Sequence, residues 1–432
     1  MTRGWAAKID SMQIEPNYPP PSLTVNDLFF NPLHQVFPDL QNRHPCPEFP
    51  DEDWLRAGVL RSLEDVPSGR GFLQEHGSRL VNAPKVSNYF ESLKSERRGR
   101  LGQEANLALA ARVDGGCQDR LKDMPGMENY EAFALDGHWH RGAAHDGKHK
   151  GAKMPTGHFH SLNLRSHSMG HLAANDYHKE HDMHALKRIM PKGLRHDVPK
   201  GRRVLIVYDK AGIDFKFWKR CRKERAVYFL SRVKEDMVFE WLESALWDRK
   251  DPINAGVIDD RRVHTTKNIA LRVVIYVEPV SGEKFEFLTN ETDLAPGVIA
   301  ELYRRRWEIE KTYDQLKNKL GAKQSWSSDQ EAKKTQGQLA ALTHNLLLLA
   351  ERQLEERSGL RNEAEDERRE KRRLEAARLA RRAGRQTSSL LQCARDATVR
   401  SVKFIRWLRG CLKSGATAKA ALPQIQLLYA RL

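Results

Sequence analysis

One carboxylate and three side chains that could bind phosphate lie close together in LYRRRWEIEKTYDQLKNKL, residues 302–320. On a helix, which turns about 100° per residue, Tyr303, Arg306, Glu310 and Lys317 fall within roughly 60° of one another. An apolar stripe, expected to pack on a core, lies about 80° away. It consists of Leu302, Ile309, Tyr313, Leu316 and Leu320. An amphipathic surface helix with scattered charge has the same pattern, so the segment alone leaves both interpretations open.

Two aspartates lie in segments with the pattern of strands. Asp136 lies in YEAFALDGHWH, where Phe133 and Leu135 alternate with polar residues, and Asp209 ends the apolar run RRVLIVYDKAG. Three carboxylates that converge at a sheet edge suit Mg²⁺ or Mn²⁺. Two such ions would activate an attacking oxygen and stabilise a leaving oxygen in phosphodiester cleavage. We therefore predict a metal site at Asp136, Asp209 and Glu310.

Other aspartates compete for this assignment. Asp146 and Asp214 are alternatives, but both lie in polar, loop-like sequence, so the strand-borne pair is preferred. An aspartate after a buried strand is also a common helix N-cap, and Asp209 taken alone fits that role.

The strand and helix patterns around these residues predict a mixed α/β fold. TGHFHSLNLRSH and AVYFLSRVK have the pattern of strands, and ALRVVIYVEPVSGEKFEFLTN that of a hairpin turning at residues 279–282. The segments with the pattern of helices are HKEHDMHALKRIM and QGQLAALTHNLLLLAERQLEE. The helix that carries Glu310 is expected to begin near Pro296. The tail EDERREKRRLEAARLARRAGR predicts a solvated helix.

The charge of the chain points to a polyanionic partner. Among 432 residues, 73 are Lys or Arg and 57 are Asp or Glu, a net charge of +16, which favours nucleic acid. No apolar run approaches the roughly 18 residues of a membrane-spanning helix. The N-terminus lacks a secretory signal, and five widely spaced cysteines predict reduced thiols in a cytosolic protein.

Several motifs together resemble a known family. The spacing Tyr303-x2-Arg306-x3-Glu310-x6-Lys317 matches the Y-R-E-K signature of the cut-and-paste DDE transposases of bacterial insertion sequences. FALDG and VLIVYDKAG resemble the two aspartate segments of that family, FLTN the lead-in to its glutamate, and SGRGFLQ its N-terminal region. The resemblance extends from about Trp54 to Glu355.

The resemblance implies a ribonuclease H-like catalytic domain with a β-rich insertion and two Mg²⁺ or Mn²⁺ ions. It also implies cleavage at terminal inverted repeats and joining of 3′-hydroxyl ends to target DNA. A homodimer would act on double-stranded DNA in the bacterial cytoplasm, associated with the nucleoid. The ranges expected are an irregular Pro-rich arm (1–50), a helical domain that binds DNA (51–128), the first catalytic part (129–227), the insertion (228–292), the second catalytic part (293–355) and a charged helical region (356–432).

The family also flips a base near the cleavage site, where Tyr303, Arg306 and Lys317 would hold the distorted strand. Stacking on an aromatic ring offsets the cost of flipping, and Trp307 and Trp326 are the candidates, although a packed core residue is the favoured interpretation of each. Two rival functions stay open. One is a ribonuclease H-like nuclease without strand joining, and the other is a non-catalytic DNA-binding protein derived from a transposase.

Histidines are concentrated in one region, with eleven of the seventeen between His138 and His184. His178, His181 and His184 invite a zinc interpretation, but no spacing typical of a zinc site supports it. Surface positions or phosphate contacts are preferred, with His138 expected beside the catalytic site.

Overall fold

A nine-stranded sheet lies between two layers of helices. The computed structural model describes residues 23–64, 68–77, 80, 84–117, 119–149, 152–153, 155–175, 180, 182–195, 198–318, 320–321, 323–358, 363–390 and 402–429. The strands are β1 (Tyr130–His140), β2 (Lys148–His149), β3 (Ala152–Lys153), β4 (Thr156–Asn163), β5 (Met169–Ala174), β6 (Arg203–Val207), β7 (Val227–Arg232), β8 (Phe239–Ser244), β9 (Val257–Thr265), β10 (Ala270–Val277) and β11 (Lys284–Thr289).

The helices cover both faces of this sheet. They are α1 (Val25–Val36), α2 (Asp51–Leu63), α3 (Gly69–His76), α4 (Val86–Leu93), α5 (Glu96–Gly116), α6 (Asp182–Leu194), α7 (Phe215–Arg225), α8 (Pro296–Arg305), α9 (Trp307–Asn318), α10 (Gln330–Ser358), α11 (Glu363–Arg382), α12 (Val402–Ser414) and α13 (Ala418–Tyr429). Apolar residues of α6 and α7 form a core with one face, and those of α1, α2, α5, α8, α9 and α10 form a core with the other.

The sheet is mixed, which confirms the predicted α/β class. Its order is β5-β4-β1-β6-β7-β11-β10-β9-β8, and β2 and β3 form a separate pair. β1 runs antiparallel to β4 and parallel to β6, and β6 runs parallel to β7. Because helices cover both faces, both alternating sets of side chains in β1 are largely buried.

The predicted β-rich insertion continues the central sheet. β11 pairs with β7, and β10, β9 and β8 follow outward, all antiparallel. The predicted hairpin is confirmed as β10 and β11. Gly282, in its turn, has a φ of +77°, a conformation that glycine adopts without the steric cost of a Cβ atom.

The predicted irregular arm is wrong over part of its length. Residues 1–22 lie outside the described residues, but α1 follows directly, and Thr24 and Asp27 form a capping box at its start. Phe29 and Leu33 of α1 are buried in the core. Pro32, one of the prolines in the range predicted to be irregular, lies within this helix.

The helix predicted to carry the Y-R-E-K spacing is divided at Arg306 into α8 and α9. The backbone N–H groups of Arg306 and Ile309 donate to carbonyl oxygens three residues earlier, at 3.1 and 3.2 Å, which tightens the chain locally. Arg306 keeps helical dihedral angles, with a φ of −52° and a ψ of −35°, and its side chain contacts Glu310 and lies over Tyr303. These three residues therefore stay together, but the predicted stripe is not uniformly accessible. Tyr303 is buried and Lys317 is exposed.

Two arginines of the N-terminal helical range, which is expected to bind DNA, make structural contacts within that range. Arg97 and Arg98 contact Asp51 at 2.6 and 3.0 Å, and Arg98 also donates to the backbone carbonyl of Phe49. Asp51 is buried, so these contacts stabilise the start of α2. Within the described residues, no helix is both long and apolar enough to cross a membrane.

Candidate active site

Asp136 lies on β1, and Asp209 follows the end of β6, the neighbouring parallel strand, by two residues. Ala134 of β1 is opposite Val207 of β6, and extending this register by two residues sets Asp136 level with Asp209. Neighbouring strands lie about 4.8 Å apart, so the two aspartates meet at the same part of the sheet. Asp209 also accepts a hydrogen bond from the backbone N–H of Ala211 at 2.6 Å, so the alternative role of helix cap applies as well.

Glu310 faces this part of the sheet from the first turn of α9. Helix α9 is tied to β1 by the hydroxyl of Tyr313, which donates to the backbone carbonyl of Asp136 at 2.5 Å. The Glu310 carboxylate contacts the guanidinium of Arg306 at 2.7 Å. The helical spacing predicted Tyr313 on the apolar stripe and gave no role to its hydroxyl, although its position three residues after Glu310 puts it on the same side of the helix.

The charges of Asp209 and Glu310 both act on Asp136. Burial raises the pKa of Asp136 to about 7, although the N–H of Gly137 and the charge of Arg306 oppose the rise, and the charges of Glu310 and Asp209 add to it. Like charges that repel in this way are typical of a site that binds a cation or holds a proton.

The donor chemistry of these carboxylates fits a divalent cation, but their present arrangement is not that of a closed metal site. Across the described ranges, no group of three or more His, Cys, Asp or Glu side chains is arranged to hold a metal ion. Glu310 is turned to Arg306, and Asp209 to the N–H of Ala211. Glu310 would have to leave Arg306 to share a cation with Asp136.

Arg306 lies between two aromatic rings. Its guanidinium carbon is 5.6 Å from the ring centre of Tyr303 and 5.1 Å from that of Trp307, distances typical of cation–π contacts. Tyr303, predicted to contact DNA, is buried and packs on Phe287, with ring centres 4.9 Å apart. Lys317 is exposed.

The two candidate tryptophans differ in environment. Trp307 is 54% exposed, so its favoured interpretation as a core residue is wrong. Trp326 is partly buried against the core, and the guanidinium of Arg61 lies 4.4 Å from its ring centre. Of the two, Trp307 offers the larger open surface for a base.

The alternative aspartates have structural partners. Asp146 contacts Lys333 at 3.0 Å, and both side chains are buried. Asp214 accepts a hydrogen bond from the N–H of Phe217 as the N-cap of α7 and contacts Lys187 at 2.6 Å. These contacts account for both residues without a role in catalysis.

Five histidines on β1 and the two strands to one side of it are buried, so the preferred surface interpretation is wrong for four of them, while His138 was expected near Asp136. They lie on β1, β4 and β5 and are His138, His140, His158, His160 and His171. Neighbouring rings have centres 4.4 to 6.2 Å apart. Burial lowers the pKa of His140, His158, His160 and His171, so these rings are neutral at neutral pH. His178 and His181 lie outside the described residues.

Replacing Asp136 with asparagine should stabilise the fold above neutral pH. Because the folded-state pKa of Asp136, about 7, exceeds its ordinary value of 3.8, folding binds a proton between these values and stability falls as pH rises through that window. A tenfold change in an acid dissociation constant corresponds to about 1.4 kcal/mol, and relaxation of the partly buried side chain reduces the total. We expect Asp136→Asn to raise the free energy of unfolding by about 2 to 3 kcal/mol at pH 8.

Urea unfolding of both proteins at pH 5, 6.5 and 8 measures this difference. The advantage of the variant should grow with pH and level off above about pH 7. An advantage that does not change with pH would show that Asp136 is ionised throughout.

A comparison with protein families finds one match. The family model described as "Transposase DDE domain" matches residues 130–346, which are 217 of the 432 residues. The matched range contains Asp136, Asp209, Glu310 and the whole of α9. No curated protein matches the chain.

Proposed function

Because the chain belongs to the family with the transposase DDE domain, we propose that it cleaves DNA at the terminal inverted repeats of its insertion sequence and joins the 3′-hydroxyl ends to target DNA. The observation that supports this proposal is that the charges of Asp209 and Glu310 both act on Asp136, and that all three residues belong to the matched range. The mixed order of the sheet supports a ribonuclease H-like catalytic domain.

In this proposal Asp136, Asp209 and Glu310 are the ligands of two Mg²⁺ or Mn²⁺ ions. When bound, such ions stabilise the attacking and leaving oxygens of a phosphodiester. Asp136 must release its proton to act as a ligand, and Glu310 must leave Arg306. Arg306 is then free to donate to a DNA phosphate, since its planar guanidinium suits that anion.

DNA contacts are proposed for the surface next to Glu310. Lys317 is exposed on the last turn of α9 and would contact phosphate, and Trp307 exposes a face on which an unstacked base could stack. Tyr303 lies beneath Arg306 and would hold the guanidinium in place. The N-terminal helical region would contribute to DNA binding, and two copies of the chain would act together on the two ends of the element, in the cytoplasm and associated with the nucleoid.

A strand-transfer assay tests the proposed function. The substrate is duplex DNA that contains the inverted repeats flanking the gene, with a supercoiled plasmid as target. We expect Mg²⁺-dependent nicking that leaves a 3′-hydroxyl at the repeat, followed by covalent joining to the plasmid. EDTA should abolish both steps. Cleavage without joining would indicate a nuclease, and binding of the repeats without cleavage would indicate a DNA-binding protein.

A further inference from the structure

Tyr313 joins the two chain segments that carry Asp136 and Glu310. Its hydroxyl donates to the backbone carbonyl of Asp136 at 2.5 Å, and its Cα lies one helical turn after that of Glu310 on α9. We propose that Tyr313 is a positioning residue that sets the separation of these two carboxylates, and that the neighbouring histidine rings fix its orientation. This inference rests on the proposed function, because it concerns the same metal site.

The ring of Tyr313 is held by histidines from two strands. It stacks on His138 of β1, with ring centres 4.9 Å apart and planes at 21°. It also makes an edge contact with His160 of β4, at 5.7 Å and 63°. His160 is directly opposite Asp136 in the strand pairing, so both contacts come from backbone next to the carboxylate.

Two more histidines, His158 and His171, pack beside the ring of His160. His158 Nδ1 and His171 Nε2 are 3.3 Å apart and share a hydrogen bond. Gly337 of α10 packs directly on this pair, and a Cβ atom at that position would lie 2.5 to 2.6 Å from the two ring nitrogens. A glycine at this position therefore lets α10 close over the rings and fix them against the sheet.

The Tyr313 hydroxyl acts on the backbone of Asp136, so its effect does not depend on the charge of the carboxylate. Phenylalanine at this position would keep the stacked ring but leave the carbonyl of Asp136 without this donor. Helix α9 would then be free to shift relative to β1. Loss of a group that orients a metal ligand without binding the metal itself typically changes metal affinity by about 10- to 100-fold.

Mn²⁺ binding to the Tyr313→Phe variant tests this inference. Calorimetric titration of the full chain should show Mn²⁺ affinity about 10-fold weaker than in the wild type, at a pH of 8 where Asp136 is ionised in both proteins. Thermal unfolding is measured on the same samples. His138→Phe, which keeps a flat ring for stacking, should retain wild-type affinity, whereas His138→Ala should weaken it.

Tyr130→Phe is the matched control. Tyr130 is a buried tyrosine at the start of the same strand, and its hydroxyl donates to Glu291 at 2.9 Å. The same hydroxyl accepts a hydrogen bond from Arg203 at 2.7 Å. Because both partners are charged, its loss should lower thermal stability at least as much as that of the Tyr313 hydroxyl and leave Mn²⁺ affinity unchanged. Wild-type affinity in Tyr313→Phe would overturn the inference alone. If the wild type shows no Mn²⁺ binding that is lost in the Asp136→Asn variant, both the inference and the proposed metal site are overturned.

Discussion

Replacing Glu310 with glutamine should reduce metal-dependent cleavage of end DNA by at least about 1,000-fold, because glutamine has no negative charge to hold a divalent cation. Asp136→Asn and Asp209→Asn should have effects of the same size, since the three carboxylates act together. A gel assay of single-turnover cleavage at saturating protein measures the chemical step. DNA binding, measured separately, should be kept or slightly strengthened, because each change removes a negative charge near the phosphates.

Asp214→Asn provides the control for this set. Asn caps a helix about as well as Asp, so the N-cap of α7 is preserved. The change weakens only the ion pair with Lys187, which joins two partly exposed side chains. We expect cleavage within about twofold of the wild-type rate, as is usual when a surface ion pair is removed. Wild-type cleavage by Glu310→Gln, or loss of cleavage in Asp214→Asn, would assign the metal site to other carboxylates.

The binding measurement also tests whether the loss in Glu310→Gln comes from Arg306 and not from the metal site. Glu310 also holds Arg306 at 2.7 Å, and the variant weakens this ion pair. A misplaced Arg306 would weaken DNA binding, whereas loss of a metal ligand would not. Cleavage that fails while binding persists therefore identifies Glu310 as a ligand.

The placement of the two aspartates could be predicted from the sequence because it depends on local patterns. Alternation in YEAFALDGHWH and the apolar run before Asp209 each indicate a strand without reference to the rest of the chain. The register that sets Asp136 level with Asp209 depends on the pairing of β1 with β6, which lie far apart in sequence. The sequence predicted the strands, and the pairing came from the structure.

The division of the signature helix could not be predicted, because the change to three-residue backbone hydrogen bonds at Arg306 and Ile309 has no residue such as proline or glycine to signal it. Arg305 contacts Glu301 at 2.8 Å in the core, whereas Arg306 contacts Glu310 at 2.7 Å on the other side of the chain. Adjacent residues on a helix point about 100° apart, and both contacts are made where the chain tightens at Arg306. Both pairs have the i,i+4 spacing that brings side chains together on a helix, so the sequence indicates the partners but not the change in hydrogen bonding at Arg306.

The buried histidines were missed for a related reason. Imidazole is polar, and patterns of polar residues predict an exposed face. A neutral imidazole is also a flat ring that can pack in a core, and His158 and His171 do so because Gly337 lets α10 approach. The spacing of His138, His140, His158 and His160, two residues apart in each pair, was the available signal, since it places each pair on one face of a strand.

Replacing Glu308 with glutamine should destabilise the fold by about 3 to 5 kcal/mol, the range for removing one partner of a buried ion pair. Glu308 is only two residues from Glu310, but it is buried and contacts His167, which lies between β4 and β5. Burial alone would raise the pKa of Glu308, but the contact with His167 and the charges of Arg305 and Arg120 outweigh it and lower the pKa to about 2. Burial also lowers the pKa of His167, so at neutral pH the imidazole is a neutral hydrogen-bond partner and the positive charges that act on Glu308 are those of the two arginines. The carboxylate is therefore ionised inside the core.

Urea unfolding at pH 7 measures the effect, and Glu356→Gln is the control. Glu356 contacts Arg352 at 2.5 Å on the surface, and losing such a pair should change stability by no more than about 1 kcal/mol. Because the folded-state pKa of Glu308 lies below its ordinary value of 4.5, its contribution is present above pH 4.5 and is lost as pH falls towards 2. The difference between wild type and Glu308→Gln should shrink over that window.

A difference that does not change with pH would show that Glu308 contributes by packing and not by charge. Helix α9 would then be attached to the sheet mainly through Tyr313 and its apolar residues. If the charge of Glu308 is what stabilises the fold, the two glutamates of this helix have different roles. Glu308 holds α9 against the turn between β4 and β5. Glu310, about 160° away around the helix, can then change partners while α9 stays in place.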